Sequence, residues 1–145
     1  MGVLTSGEIG CIKSHYNVLS NCKSKFCLVL EDDFQLCENF DVEFYKCLNE
    51  LPDNFQALWL GGVVVGLKKD YSKHLYQITG TTGTYGYLVN MEFASDFLTV
   101  LKKENKLCDW LMSTAFERVF RSKKDLVTHR PGYSEIKGKE VKYKQ

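Results

Sequence analysis

An α/β domain built on one layered sheet is expected here from three features of the chain. Short apolar runs such as "KFCLVLE", "FQALWLGGVVV" and "TYGYLVN" alternate with stretches of helical periodicity, the signature of a sheet flanked by helices. No repeat or linker interrupts the alternation, so residues 1–145 read as a single domain. With 44% apolar and 26% charged side chains, a chain of 145 residues can bury a core of its own.

Each element has a local reason. In "SGEIGCIKSHYNVLSNC", Ile9, Ile12, Tyr16 and Leu19 recur at helical spacing behind Ser6, a suitable N-cap. "KFCLVLEDD" is short and uniformly apolar before its acidic end, which predicts a central strand covered on both faces. "DVEFYKCLNEL" is amphipathic and stops at Pro52, giving a helix of about three turns. "FQALWLGGVVVG" predicts a second buried strand that breaks at Gly61 and Gly62. "HLYQITG" and "TYGYLVN" read as two strands around "GTTG", with a plain hairpin turn as the simplest account of those glycines. Ala94, Phe97, Leu98 and Leu101 share a helical face in "EFASDFLTVLKKENK". The same pattern in "CDWLMSTAFERVFRSKK" runs through Leu111, Ala115 and Val119 and predicts a helix. "DLVTHRPGYSEIKGKEVKY" closes the chain with a strand and an irregular basic tail over 131–145.

Charge is unevenly spread although the net is +1. From Arg118 onward there are nine Lys/Arg against three Asp/Glu, while the first 117 residues hold ten against fifteen. An acidic body with a basic tail points the tail at an anion, or else marks a solvated terminus. The acidic body and the lack of interleaved basic and aromatic residues argue against nucleic acid as partner. No apolar run nears the roughly 20 residues of a membrane span. The first residues lack the basic start and apolar stretch of a secretory signal, so the expected location is the cytoplasm. The six cysteines, at 11, 22, 27, 37, 47 and 108, form no CxxC and are expected to be reduced and structural.

Glu31, Asp32 and Asp33 ask for an explanation. Three consecutive carboxylates repel one another, and a strand end tolerates them when a divalent cation neutralises the charge. Ligands of α/β sheets also collect beyond the carboxyl ends of the strands. Alternation along an extended chain would put Glu31 and Asp33 on one face and Asp32 on the other. One of the pair would then hold Mn²⁺ or Mg²⁺ and the other a sugar or ribose hydroxyl. The plainer alternative is a solvated acidic turn.

"LTSGEIGCIKSH" followed by "CLVLEDDF" resembles glycosyltransferase family 25, which includes lipopolysaccharide-type and procollagen galactosyltransferases with viral and phage relatives. "ALWLGG", "GTTGTYGYLVN", "CDWLM" and "RPGYSEI" agree with the family in order, so the resemblance spans nearly the whole chain. It implies a GT-A-like, Rossmann-like mixed sheet, and metal-assisted transfer of a sugar, with inversion, from a UDP- or GDP-sugar to a glycan or protein hydroxyl. A viral member would work in the host cytoplasm. The family's first strand, with its Asn-Leu-x-x-Arg nucleotide motif, is missing because this chain starts at the Gly-Glu-Ile-Gly-Cys helix, so an N-terminally shortened domain is expected.

The resemblance also distributes roles. Asp33 and His129 would hold the metal, and Glu31, Ser14, His15, Thr84, Tyr85 and Arg130 would bind the donor. Arg130, Lys137 and Lys139 would neutralise the departing diphosphate, and Tyr85 and Tyr87 offer aromatic faces to a sugar. Asp109, where the family carries an Asp-x-x-Leu segment, would take the acceptor proton; an Asp that merely starts a helix is the alternative. His15 is equally readable as a packed helix residue, and His74 as a surface residue. A non-catalytic nucleotide or sugar binder is the competing function. Self-association as a homo-oligomer is left open.

Overall fold

The computed structural model describes residues 2–134 and 139–141. In chain order, helix α1 spans Ser6–Asn21, strand β1 Phe26–Leu30 and β2 Phe34–Leu36, then α2 Phe40–Glu50. Strands β3 (Ala57–Trp59), β4 (Val63–Val64), β5 (Lys68–Asp70), β6 (Leu75–Ile78), β7 (Thr81–Thr82) and β8 (Gly86–Asn90) follow. After them come α3 (Ala94–Leu101), α4 (Cys108–Thr114), β9 (Val119–Ser122), β10 (Val127–His129), β11 (Gly132–Ser134) and β12 (Lys139–Val141).

Six strands form one mixed sheet in the order β1-β8-β3-β9-β6-β5. β8 is antiparallel to both β1 and β3, and β3 is parallel to β9, so β1, β3 and β9 all run the same way. Their carboxyl ends therefore share one edge of the sheet. Strand alternation then sorts the apolar residues into two cores. Ala57 and Trp59 face Ile12 and Leu19 of α1, Phe97 and Leu101 of α3, and Leu111 and Met112 of α4. Leu58 and Leu60 face the other way, into a core with Cys47 of α2. The result is a sheet with helices on both faces, as expected.

Several local expectations are corrected. The cap of α1 is Thr5, not Ser6: the Thr5 hydroxyl accepts the Glu8 N–H (3.2 Å) and the Glu8 carboxylate accepts the Thr5 N–H (2.6 Å). β1 is an edge strand rather than a central one, with Cys27 and Val29 buried but Phe26 and Leu28 at 43% and 40% exposure. Helix packing covers one of its faces fully and the other only in part. "GTTG" is not a hairpin turn. β6 pairs with β5 and β9, whereas β8 pairs with β1 and β3, so the segment crosses the sheet between them while β7 pairs with β4. The helix expected over 108–124 ends at Thr114. Val119–Ser122 is instead a fully buried strand inserted between β3 and β6. The tail is not wholly irregular, since β11 and β12 pair antiparallel. Lys137 lies outside the described residues.

Candidate functional site

β1 ends at Leu30, but its ladder continues one step further: the Glu31 N–H donates to the Tyr85 carbonyl (3.2 Å). The Phe34 N–H then donates back to the Glu31 carbonyl (3.2 Å), which makes Asp32 and Asp33 the central residues of a β-turn. The three carboxylates are thus not on an extended segment, and the expected two-face alternation does not apply to them. What fixes the turn comes from the far end of the chain. β10 pairs with β2, setting His129 opposite Phe34, and the Arg130 N–H donates to the Asp33 carbonyl (2.8 Å). The exposed Arg130 side chain reaches the Asp32 carbonyl through Nη2 (3.1 Å).

Around this turn lie most of the residues expected in the site. Glu31 Oε1 accepts the Thr84 hydroxyl and lies 3.2 Å from His15 Nε2. His15 Nδ1 is 2.6 Å from the Tyr87 hydroxyl, so both ring nitrogens are engaged. Burial alone would raise the Glu31 pKa, but its hydrogen bonds to His15 and Thr84 hold it below the usual carboxylate range. Burial alone would lower the His15 pKa. Contacts with Cys11 and Glu31 carry it up to about 9.

Asp33 behaves oppositely. Burial, then the charge of Glu31, pushes its pKa up against the pull of His129. His129 Nδ1 stands 4.0 Å from Asp33 Oδ2, with the His129 ring against Tyr85 (centroids 4.7 Å apart). Asp33 Oδ1 is buried with no hydrogen-bond partner among the described residues. An unpartnered buried carboxylate oxygen beside a second acid is what a hard divalent cation satisfies. The donor set of Asp33 and His129 therefore fits Mn²⁺ or Mg²⁺.

A cleft of about 530 Å³ opens beside the turn, between α1 and the end of β1. Gly7, Gly10, Ser14 and His15 form its helical wall, and Leu30, Glu31 and Asp32 its strand wall. Small residues at Gly7, Gly10 and Ser14 keep that wall low; a Cβ at Gly10 would meet nothing within 4 Å.

Asp109 sits on the first turn of α4, and its carboxylate is turned toward the crossing loop. Oδ2 accepts the Gly83 N–H (2.9 Å) and Oδ1 the Trp110 N–H (2.7 Å). Gly83 has φ +88°, and a Cβ there would press on the Tyr85 ring at 2.5 Å, so loop 83–85 depends on that glycine. Asp109 in this way anchors the loop that carries Thr84 and Tyr85.

Three expectations change. Tyr87 is fully buried and stacked on Trp59 (centroids 5.2 Å), so its ring is closed to a sugar; its hydroxyl serves His15 instead. His74 is half-buried with Nδ1 2.6 Å from Glu50 Oε1. Cys11, expected with the other cysteines to be structural, is half-buried and lines the cleft while its other side packs against the core. It forms with His15 and buried Cys108 a cluster whose ligand atoms all lie within 4.8 Å of one another. A hydrogen bond from Cys108, and then the neighbouring His15, holds the Cys11 thiol down at about 5 despite burial, while Cys108 is pushed up. Spacing held the clue, since Cys11 and His15 are i and i+4 on one helix.

An acidic turn at the carboxyl edge of a mixed sheet, beside a cleft walled by a capped helix, defines an α/β domain with a candidate ligand site at its strand ends. The chain belongs to glycosyltransferase family 25 (LPS biosynthesis protein), whose profile matches residues 2–80. The matched span contains Ser14, His15, Glu31 and Asp33, whereas Thr84, Tyr85, Asp109, His129 and Arg130 lie beyond it. No curated protein matches the chain significantly. Among the described residues, no helix is long and apolar enough to cross a membrane.

Proposed function

We propose that this protein is a GT-A-like, metal-dependent transferase that moves a sugar from a UDP- or GDP-sugar to a hydroxyl of a glycan or protein, with inversion. The observation that carries the reading is the buried, unpartnered Oδ1 of Asp33 in a turn at the strand end, next to the cleft. Asp33 and His129 would hold Mn²⁺ or Mg²⁺, which when bound would supply positive charge to the donor diphosphate. Glu31, fixed by Thr84 and His15, presents its remaining lone pairs to donor hydroxyls. Ser14 and the bare helix wall at Gly7 and Gly10 admit the donor's polar groups to the cleft, and Tyr85 packs against His129 of the metal pair, where it would meet the donor. Arg130 adds positive charge beside the turn as diphosphate leaves. Asp109 is the base for the acceptor proton: its two backbone hydrogen bonds leave each oxygen a further lone pair.

Calorimetric titration with UDP and GDP, with and without Mn²⁺, tests the reading. Binding is expected to need the metal and to weaken at least about tenfold in Asp33→Asn, since the diphosphate and the carboxylate must share one cation. Equal nucleotide affinity in the variant, or in excess chelator, overturns the metal role. Tight metal-dependent binding with no transfer to any acceptor favours the non-catalytic binder.

A further inference from the structure

We propose that Cys11, His15 and Cys108 form a second metal site, one that takes a soft divalent cation of the zinc class. This goes beyond the transferase reading and does not depend on it. Cys11 and His15 lie one turn apart on the same face of α1, and Cys108 opens α4, which packs against α1. Their sulfur and nitrogen ligand atoms are all within 4.8 Å of one another. Tetrahedral zinc with bonds of about 2.0–2.3 Å needs ligand atoms roughly 3.3–3.8 Å apart. The trio thus has to contract by about 1.5 Å at most, which rotation about side-chain bonds provides.

The chemistry of the donors sets the choice of ion. Two thiols and an imidazole favour zinc over the hard cations suited to Asp33, so the two sites select different metals. Three protein ligands leave a fourth position, and Cys11 and His15 both line the cleft, so that position faces it. Met112 Sδ, 3.8 Å from Cys108 Sγ, closes the inner side with another soft atom. Binding also has a consequence for the acidic turn. His15 now spends Nδ1 on Tyr87 and Nε2 on Glu31, and a metal must take one of the two. Zinc on Nε2 would strip Glu31 of a partner and link the soft site to the donor site.

The test uses fully reduced, metal-free protein and reads no transferase activity. Titration with Co²⁺ should give thiolate-to-cobalt charge-transfer absorption that saturates at one ion per chain and is displaced by stoichiometric Zn²⁺. Cys11→Ser should weaken the binding read from that band at least about tenfold, whereas Cys37→Ser and Asp33→Asn leave the band unchanged. Because a Cys108 variant risks misfolding, the wild-type protein supplies the second measurement. One equivalent of Zn²⁺ should slow alkylation of Cys11 at least about tenfold and leave that of half-buried Cys37 as it was. Three results overturn the site: cobalt binding without charge transfer, a Cys11 alkylation rate indifferent to zinc, or loss of the cobalt signal in Asp33→Asn.

Discussion

His15 touches three groups of opposite habit: a carboxylate, a phenol and a thiol. Its proton bookkeeping yields a stability profile. Unfolded, Cys11 and His15 titrate at their ordinary 9.0 and 6.5; folded, they sit at about 5 and about 9. Between 5 and 6.5 the unfolded pair holds two protons and the folded pair one, so stability rises with pH. From 6.5 to 9 each state holds one, on Cys11 when unfolded and on His15 when folded, and the slope vanishes. Above 9 the pair cancels, since folded His15 and unfolded Cys11 lose their protons together, but Cys108, pushed up by its hydrogen bond with Cys11 and by burial, keeps a proton that the unfolded chain has lost, so stability falls. Urea midpoints of the metal-free protein should therefore show a plateau with two shoulders, and Cys11→Ser should lose the rise between 5 and 6.5. A steady slope across the plateau window would rule the pair out. Asp109 allows an equally sharp test. Asn keeps a carbonyl oxygen for the Gly83 N–H, so Asp109→Asn should fold normally and bind donor normally, with turnover down by about 10²–10⁴-fold. Normal turnover with a matched acceptor would leave Asp109 only its loop-anchoring part.

Elements carry these residues to their places, and α1 does most of it. Its reciprocal Thr5–Glu8 cap sets the turn that bears Gly7 and Gly10 of the cleft wall. Thr5→Ala should cost about 1 kcal/mol in chemical denaturation, with nucleotide affinity unchanged because Thr5 does not line the cleft. That helix was legible from Ile12 and Leu19, as were α2 from its stop at Pro52 and β3 from its apolar run. The failures share one cause: local pattern does not say which neighbour an element meets. Val119 continues the i, i+4, i+8 series of Leu111 and Ala115, yet burial between β3 and β6 makes its segment a strand, an ambiguity periodicity does not resolve. β1 is apolar on both faces, which signals a central strand; its edge position depends on which strands pair with β8. The crossing at "GTTG" was hidden for the same reason. In the site, the acidic triplet was conspicuous, because charge at the end of an apolar run is costly without a reason. The roles of Tyr87 and Cys108 were not, because they arise from contacts 72 residues apart for His15 and Tyr87, and from helix packing for Cys108.

At the scale of the whole molecule, the buried cores and the basic tail occupy different stretches of chain. β1, β3 and β9 direct their carboxyl ends to one edge, and among the described residues the two buried cores end at Val127. His129 and Arg130 close the acidic turn just beyond the cores. After them the chain adds Lys137, Lys139, Lys142 and Lys144 against only Glu135 and Glu140. Deleting 131–145 therefore removes net positive charge and none of the described residues of the six-stranded sheet, of either core or of the β2–β10 pair. The melting temperature should move by no more than about 3 °C, the shift that roughly 1 kcal/mol produces in a chain of this size. Affinity for a nucleoside diphosphate should fall about fivefold at low salt, the effect of a few partly screened charges, and the difference should shrink as salt is added. Stability and binding have to be measured on the same truncation. A collapse in melting temperature with unchanged affinity would make the segment a structural part of the domain, and a salt-independent loss of affinity would point to direct contacts rather than to charge.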